Sequence, residues 1–166
     1  MDEVLHLKFR QHGDLRTLLL GTYPAELIYV ESGDVFWGDG AGAGLNELGK
    51  SLMRVRERIA HNIDNKVQGV GAVVPTVRFN GYGEYSGLLY HSPHAVVYED
   101  ELYPTALHLF EALKFLEHRP DLADQIRLCE YVEDVPATSA SFAEHIRRDW
   151  GNAALATVRL FFFLPL

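Results

Sequence analysis

The sequence has a single cysteine, Cys129. That excludes an intramolecular disulfide and any metal framework built on paired thiolates, and leaves Cys129 expected as a small core residue. Positive charge is also scarce: 15 Lys and Arg face 23 Asp and Glu, a formal net charge of −8. A long polyanion such as duplex DNA would be repelled by that balance. A short phosphate-bearing ligand escapes the exclusion, because a local group of backbone N–H donors and arginines overrides net charge within one Debye length. Long hydrophobic runs are missing too. The longest, Leu160 to Leu164, falls far short of the roughly 20 residues a membrane helix needs, and the opening Met1-Asp2-Glu3 has no apolar leader. The expectation is a cytoplasmic, or nuclear, protein without membrane association. Eight histidines occur without HExxH-like spacing, and no G-x-S-x-G elbow appears. Neither a metal, a cofactor nor a serine nucleophile is therefore expected.

What is present suits one globular core: 166 residues, 48% of them hydrophobic. Val4 to Thr22 reads as two helical stretches broken at Gly13 and ended by Gly21, and Leu27 to Val30 as a strand. After a glycine-rich turn, Leu45, Leu48, Leu52, Val55 and Ile59 recur at steps of three and four, predicting a helix with Lys50, Arg54, Arg56 and Arg58 outside its apolar stripe. Ala60 to Val77 loses this pattern and reads as a connector. Val77 to Phe79 is an extended candidate, and Ala95 to Tyr98 is a second that pairs with Leu102-Tyr103 across a Glu99-Asp100 turn. Thr105 caps a predicted helix from Ala106 to Glu117, with Leu109, Leu113 and Leu116 buried and Leu107, Glu111 and Lys114 on another face. Further helices are expected over Asp121 to Glu130, from a Ser139 or Ser141 cap through Ile146, and over Trp150 to Val158.

The chemistry concentrates in Asp34-Val35-Phe36-Trp37-Gly38 and the alternating glycines that follow, through Gly44. A carboxylate beside an indole suits a ligand with a ribose and a stacking base. A glycine turn opening a helix suits an anion or sugar held by free N–H groups. The plainer alternatives stay open: a surface turn, an Asp bonding its own backbone, and an indole in the core. A dinucleotide fold is disfavoured, because the turn is not read as opening a strand–turn–helix unit that leads to a further strand and a ribose-binding acid.

Leu7-Lys8-Phe9, Asp34 to Gly38 and Leu45 to Arg56 together resemble the C-terminal half of the NADAR or YbiA-like N-glycosidase family. Phe79-Asn80-Gly81-Tyr82, Ser92 to Val96, Tyr103-Pro104-Thr105, His108-Leu109-Phe110, Ala112 to Phe115 and Arg148-Asp149-Trp150 resemble its N-terminal half. The halves stand in inverted order. The resemblance therefore implies an α+β, mainly helical, YbiA-like single domain with a few short strands, circularly permuted. Residues 1–59 match the family's C-terminal half, 60–77 connect, 78–158 match its N-terminal half, and 159–166 form an off-pattern tail. Half of one repeat joined to half of the next in a tandem protein is the alternative arrangement.

The same resemblance implies hydrolysis of an N-glycosidic bond in a small anionic ligand, either an ADP-ribosyl adduct such as ADP-ribosylated guanine or a ribosyl-phosphate intermediate of riboflavin metabolism. It implies catalytic roles for Asp34 and Lys114, and Glu111, a carboxylate on the same face as Lys114, is expected to join them. Trp37, Gly38, Gly40, Gly44, Asn46, Tyr82, His108, Arg148 and Trp150 would contact the ligand. The chain departs from the family pattern where Leu107 replaces a Glu before His108, and where Glu111 replaces a Gln one turn later. An inactive ADP-ribosyl-binding module and an incomplete tandem fragment are the competing expectations.

Overall fold

The computed structural model describes residues 1–61 and 75–151. Helix α1 (Asp2–Gln11) and α2 (Gly13–Gly21) are separated at His12, whose extended backbone breaks the helix one residue ahead of the expected glycine. Strand β1 (Glu26–Tyr29) follows, then the glycine turn and α3 (Glu47–His61). Strand β2 (Thr76–Phe79) pairs in parallel with β1 in the register Leu27↔Val77 and Tyr29↔Phe79. The turn thus does open a strand–turn–helix–strand unit, against the expectation that no such unit is present. Among the described residues it remains a two-stranded sheet, short of an open dinucleotide-binding sheet.

Strands β3 (Val96–Tyr98) and β4 (Glu101–Tyr103) form the expected hairpin. Its two loop residues, Glu99 and Asp100, both have positive φ, 50° and 65°, the geometry whose twist matches a two-residue connection. Thr105 caps α4 (Ala106–Ala112) through its side chain, which accepts from the His108 amide. This helix is shorter than its apolar spacing suggests. Beyond Ala112 the chain tightens into turns, with Lys114 N donating to Glu111 O and Phe115 N to Ala112 O. Helix α5 (Pro120–Arg127) begins at a proline, whose missing N–H costs nothing in a first turn. Helix α6 (Val135–Ser141) likewise starts beside Pro136 and ends at Ser141. Ser139 and Ser141 therefore close this helix instead of capping one that runs to Ile146. The connector lies largely outside the described residues. The final helical stretch from Asn152 onward and the apolar tail lie wholly outside them.

The result is the expected mainly helical α+β single domain. One apolar cluster joins Leu5, Phe9, Leu27, Leu48, Leu52, Val55 and Phe79. The other gathers Val4, Val96, Tyr103, Leu109, Phe115, Leu122 and Ile126. Trp37, Tyr90 and Met1 touch both.

Leu113 and Leu116, expected to be buried with Leu109, are only partly buried, and three further burial expectations fail. Leu45 is exposed, because its amide is tied to Val35 O before α3 begins. Arg56 is buried, donating from Nη1 to Thr22 Oγ1 at 2.8 Å and Ala25 O at 2.9 Å with its guanidinium against the Tyr23 ring, so it joins α3 to the approach to β1. Cys129 is only half-buried, its Sγ 3.5 Å from Thr138 Oγ1.

Candidate functional site

Asp34 sits at the head of the glycine turn, and its Oδ1 accepts the amides of Phe36 at 2.9 Å and Trp37 at 2.8 Å. This is the turn-forming role of an Asp, and Oδ2 has no hydrogen-bond partner among the described residues. The carbonyls of the same short segment then receive the start of α3: Glu47 N donates to Phe36 O, Leu48 N to Trp37 O and Asn46 N to Gly38 O. Trp37 is thereby gripped at both ends of its peptide unit. Within the turn, the Asp39 carbonyl accepts from Gly42 N and Gly44 N, and Gly40 N donates to Glu31 O. The Asn46 side chain is spent on β1, accepting from Tyr29 N at 3.0 Å and donating to Leu27 O at 2.9 Å.

A phosphate-holding turn needs free N–H groups, and the amides of Gly40, Gly42, Gly44 and Asn46 are each already donating within the chain. Gly38 enters this arrangement through its carbonyl, which accepts from Asn46 N. Gly40, Gly44 and Asn46 therefore build the turn and do not present their amides as an anion cradle. Asp39, passed over in the sequence, anchors this arrangement. Its buried carboxylate receives Arg78 Nη2 at 2.6 Å through Oδ2, tying the turn to β2, while Oδ1 is buried without a partner among the described residues.

The other half of the site comes from α4 and the turn after it. Because the helix ends at Ala112, Lys114 folds back over Glu111, and its Nζ lies 2.5 Å from Glu111 Oε2 and 3.5 Å from Ser139 Oγ. The ammonium is also held over two aromatic faces, 5.8 Å from the Phe110 centroid and 6.0 Å from that of Trp150. Trp150 is brought there because Arg147 N donates to Lys114 O and Trp150 N to Arg147 O.

The two halves meet through rings. Trp37 packs edge-on to Phe110 with centroids 5.7 Å apart, Phe110 meets Trp150 at 5.5 Å, and Tyr90 meets Trp37 at 5.8 Å. The Tyr90 phenol is pushed well above its ordinary pKa by burial, reinforced by the carboxylates of Asp34, Glu111 and Glu31. The phenol therefore keeps its proton. Tyr29, raised to about 12 by burial, behaves alike.

The structure therefore brings Asp34, Trp37, Glu111, Lys114 and Trp150 to one place. His108 is used elsewhere: Nε2 donates to Cys129 O, which leaves Nδ1 to accept from the Thr105 hydroxyl at 2.8 Å. Burial lowers its pKa. Tyr82 and Arg148 are exposed. Tyr90 and Phe110 are the residues that sequence reasoning left unassigned. Phe110 carried a signal, since it stands four residues before Lys114 on a shared helical face; Tyr90 carried none. Among the described residues, no group of three or more His, Cys, Asp and Glu is placed to hold a metal. No helix among them is long and apolar enough to cross a membrane.

The NADAR domain family matches residues 1–60. This stretch contains Asp34, Trp37 and the glycine turn. N-glycosidase YbiA of Escherichia coli K12 is 49% identical over 61 residues, covering 36% of this chain and 38% of that protein. N-glycosidase Npun_R5314 of Nostoc punctiforme is 50% identical over 60 residues, again 36% and 38%. The similarity to the NADAR, YbiA-like family is carried by residues 1–60. The riboflavin biosynthesis protein VVA0006 of Vibrio vulnificus is 39% identical over 102 residues, 58% of this chain and 28% of that protein. The chain spans well under half the length of each of these three relatives. No solved structure matches. Glu111, Lys114 and Trp150 lie outside the residues matched by the family, and their place in the site rests on geometry.

Proposed function

We propose that this NADAR-family chain is an N-glycosidase that cleaves the bond between a ribosyl group and a nitrogen base in a small anionic ligand, an ADP-ribosyl or ribosyl-phosphate compound. The observation that carries the reading is the convergence of the Asp34–Trp37 turn and the Glu111–Lys114 pair on one row of aromatic rings. Two of the relatives are named N-glycosidases and a third a riboflavin biosynthesis protein.

In the proposed reaction the C1′–N bond breaks, its electron pair leaves with the base nitrogen, and water adds to C1′. Positive charge develops at the sugar, and Oδ2 of Asp34 stabilises it. Glu111, when protonated, supplies a proton to the leaving nitrogen and takes one back from the water that adds to C1′. Lys114 holds the phosphate, or, once deprotonated, forms a Schiff base at C1′ of the ring-opened ribose with departure of the base nitrogen, and water then hydrolyses that Schiff base. Trp37 and Trp150 offer faces to base and sugar. On this reading residues 1–59 and 78–158 are the family's two halves in exchanged order within one domain, and Lys8 on α1 bonds directly to residues of the second half.

One observation favours a second reading, a binding module without turnover. Leu107 is buried and apolar where the family pattern has a carboxylate. A mass-spectrometric time course with an ADP-ribosylated guanine nucleoside separates the two. Release of ADP-ribose by the wild type, lost in Asp34→Asn, supports the enzyme. Tight binding with an unchanged substrate, and turnover appearing in Leu107→Glu, supports the module.

A further inference from the structure

Lys8 has no exposed surface, and no carboxylate pairs with it among the described residues. Its Nζ donates instead to Gly87 O at 2.7 Å, Leu89 O at 2.6 Å and Ser92 Oγ at 2.6 Å. Three hydrogens of one ammonium thus meet three acceptors of a single irregular segment, and Ser92 Oγ lies a further 3.1 Å from His94 Nδ1. Burying a cation is costly, and a neutral apolar residue would fill the space at less expense.

Tyr90, inside the clamped segment, makes two connections of its own. Its ring lies against Trp37, and its carbonyl accepts the Leu107 amide at 2.8 Å, in the first turn of α4. Holding residues 87–92 therefore fixes the indole on one side and the helix bearing Glu111 on the other.

We propose that Lys8 is a positioning residue for the candidate site, acting through Tyr90 to hold Trp37 and α4 in their ligand-facing arrangement. This rests on the reading that the ligand lies against the Trp37 row. Lys8 itself is too buried to touch substrate.

The test compares wild type, Lys8→Met, Tyr90→Ala and the double variant, with two readouts taken well below melting. One is the affinity for ADP-ribose by tryptophan fluorescence; the other is amide exchange at Leu107 and residues 88–92. Lys8→Met is expected to keep a cooperative melt, to speed exchange in both stretches and to weaken ADP-ribose at least tenfold. The double variant is expected to bind no more weakly than Tyr90→Ala, because both act through one group. Restoring the ammonium as aminoethyl-cysteine, by alkylating Lys8→Cys in a Cys129→Ser background before refolding, recovers affinity.

Unchanged exchange and affinity in Lys8→Met, or losses that simply add in the double variant, overturn the proposal. If Lys8→Met does not fold, Ser92→Ala removes one acceptor and must shift both readouts in the same direction by less; no shift overturns it equally. Failure of the wild type to bind ADP-ribose sinks the functional reading alone, and the exchange result still decides whether the clamp exists.

Discussion

The glycine turn and the α4 turn differ in how their polar groups are spent. Between Asp34 and Leu48 the named amides and the Asn46 side chain are engaged within the turn, with β1 or with the head of α3. Around α4 the sequence is plain, yet an ammonium, a carboxylate and two aromatic faces are left adjoining one another. Glycine permits close approach, and here its use is to bring the chain against itself. Reactive groups collect where a helix stops early, since the turn after Ala112 swings Lys114 over Glu111.

The sharpest way to break this contrast is at Gly49, where an added Cβ would stand 2.1 Å from the Leu27 carbonyl of β1. Gly49→Ala is expected to cost more than about 4 kcal/mol and to abolish a cooperative thermal melt. A folded Gly49→Ala would show that the α3–β1 approach is looser than described. Next in size is Asp34→Asn. Its amide oxygen still accepts from Phe36 and Trp37, so stability should change by less than about 0.5 kcal/mol while turnover falls on the order of 10²- to 10⁴-fold. Equal loss of stability and activity would return Asp34 to a purely structural role.

A third effect is pH-dependent. Burial pushes Lys8 down to about 7 from 10.5. Between those values the unfolded chain binds more protons than the folded one, so stability rises with pH from about 7 to 10 and is flat in this contribution below 7. The lowered His91 and His94 act below that window, and the raised tyrosines above it. Burial also lowers the Met1 amine from 8.0, so its contribution ends near pH 8; melting temperatures between about pH 8.5 and 9.5 should climb in the wild type and lose that slope in Lys8→Met. The smallest effect belongs to Gly42, where φ is +97° but a Cβ meets nothing within 4 Å. Gly42→Ala should cost only about 1 to 2 kcal/mol of backbone strain.

Much of the fold was legible because it is local. The +3 and +4 spacing from Leu48 to Ile59, the Thr105 cap and the Glu99-Asp100 hairpin turn are each written in a few adjacent residues. The parallel pairing of β1 with β2 was not, since its partners lie 50 residues apart, Leu27 against Val77, and short strands carry no register signal by themselves. Burial of Arg56 escaped for a similar reason: the carbonyl and hydroxyl that satisfy it come from Ala25 and Thr22. At the site, Asp34, Trp37, Glu111, Lys114 and Trp150 were named from residue type and family resemblance. Tyr90 was not, because its place against Trp37 depends on the long-range bonds of Lys8 to its neighbours.

The central claim is that the ligand lies on the ring row beside Lys114 and not in the glycine turn. Titration calorimetry with ADP-ribose on wild type, Lys114→Met and Gly42→Ala tests it directly. The account predicts that Lys114→Met loses binding by at least tenfold while Gly42→Ala retains it. Binding that survives in Lys114→Met and disappears in a folded Gly42→Ala would contradict it.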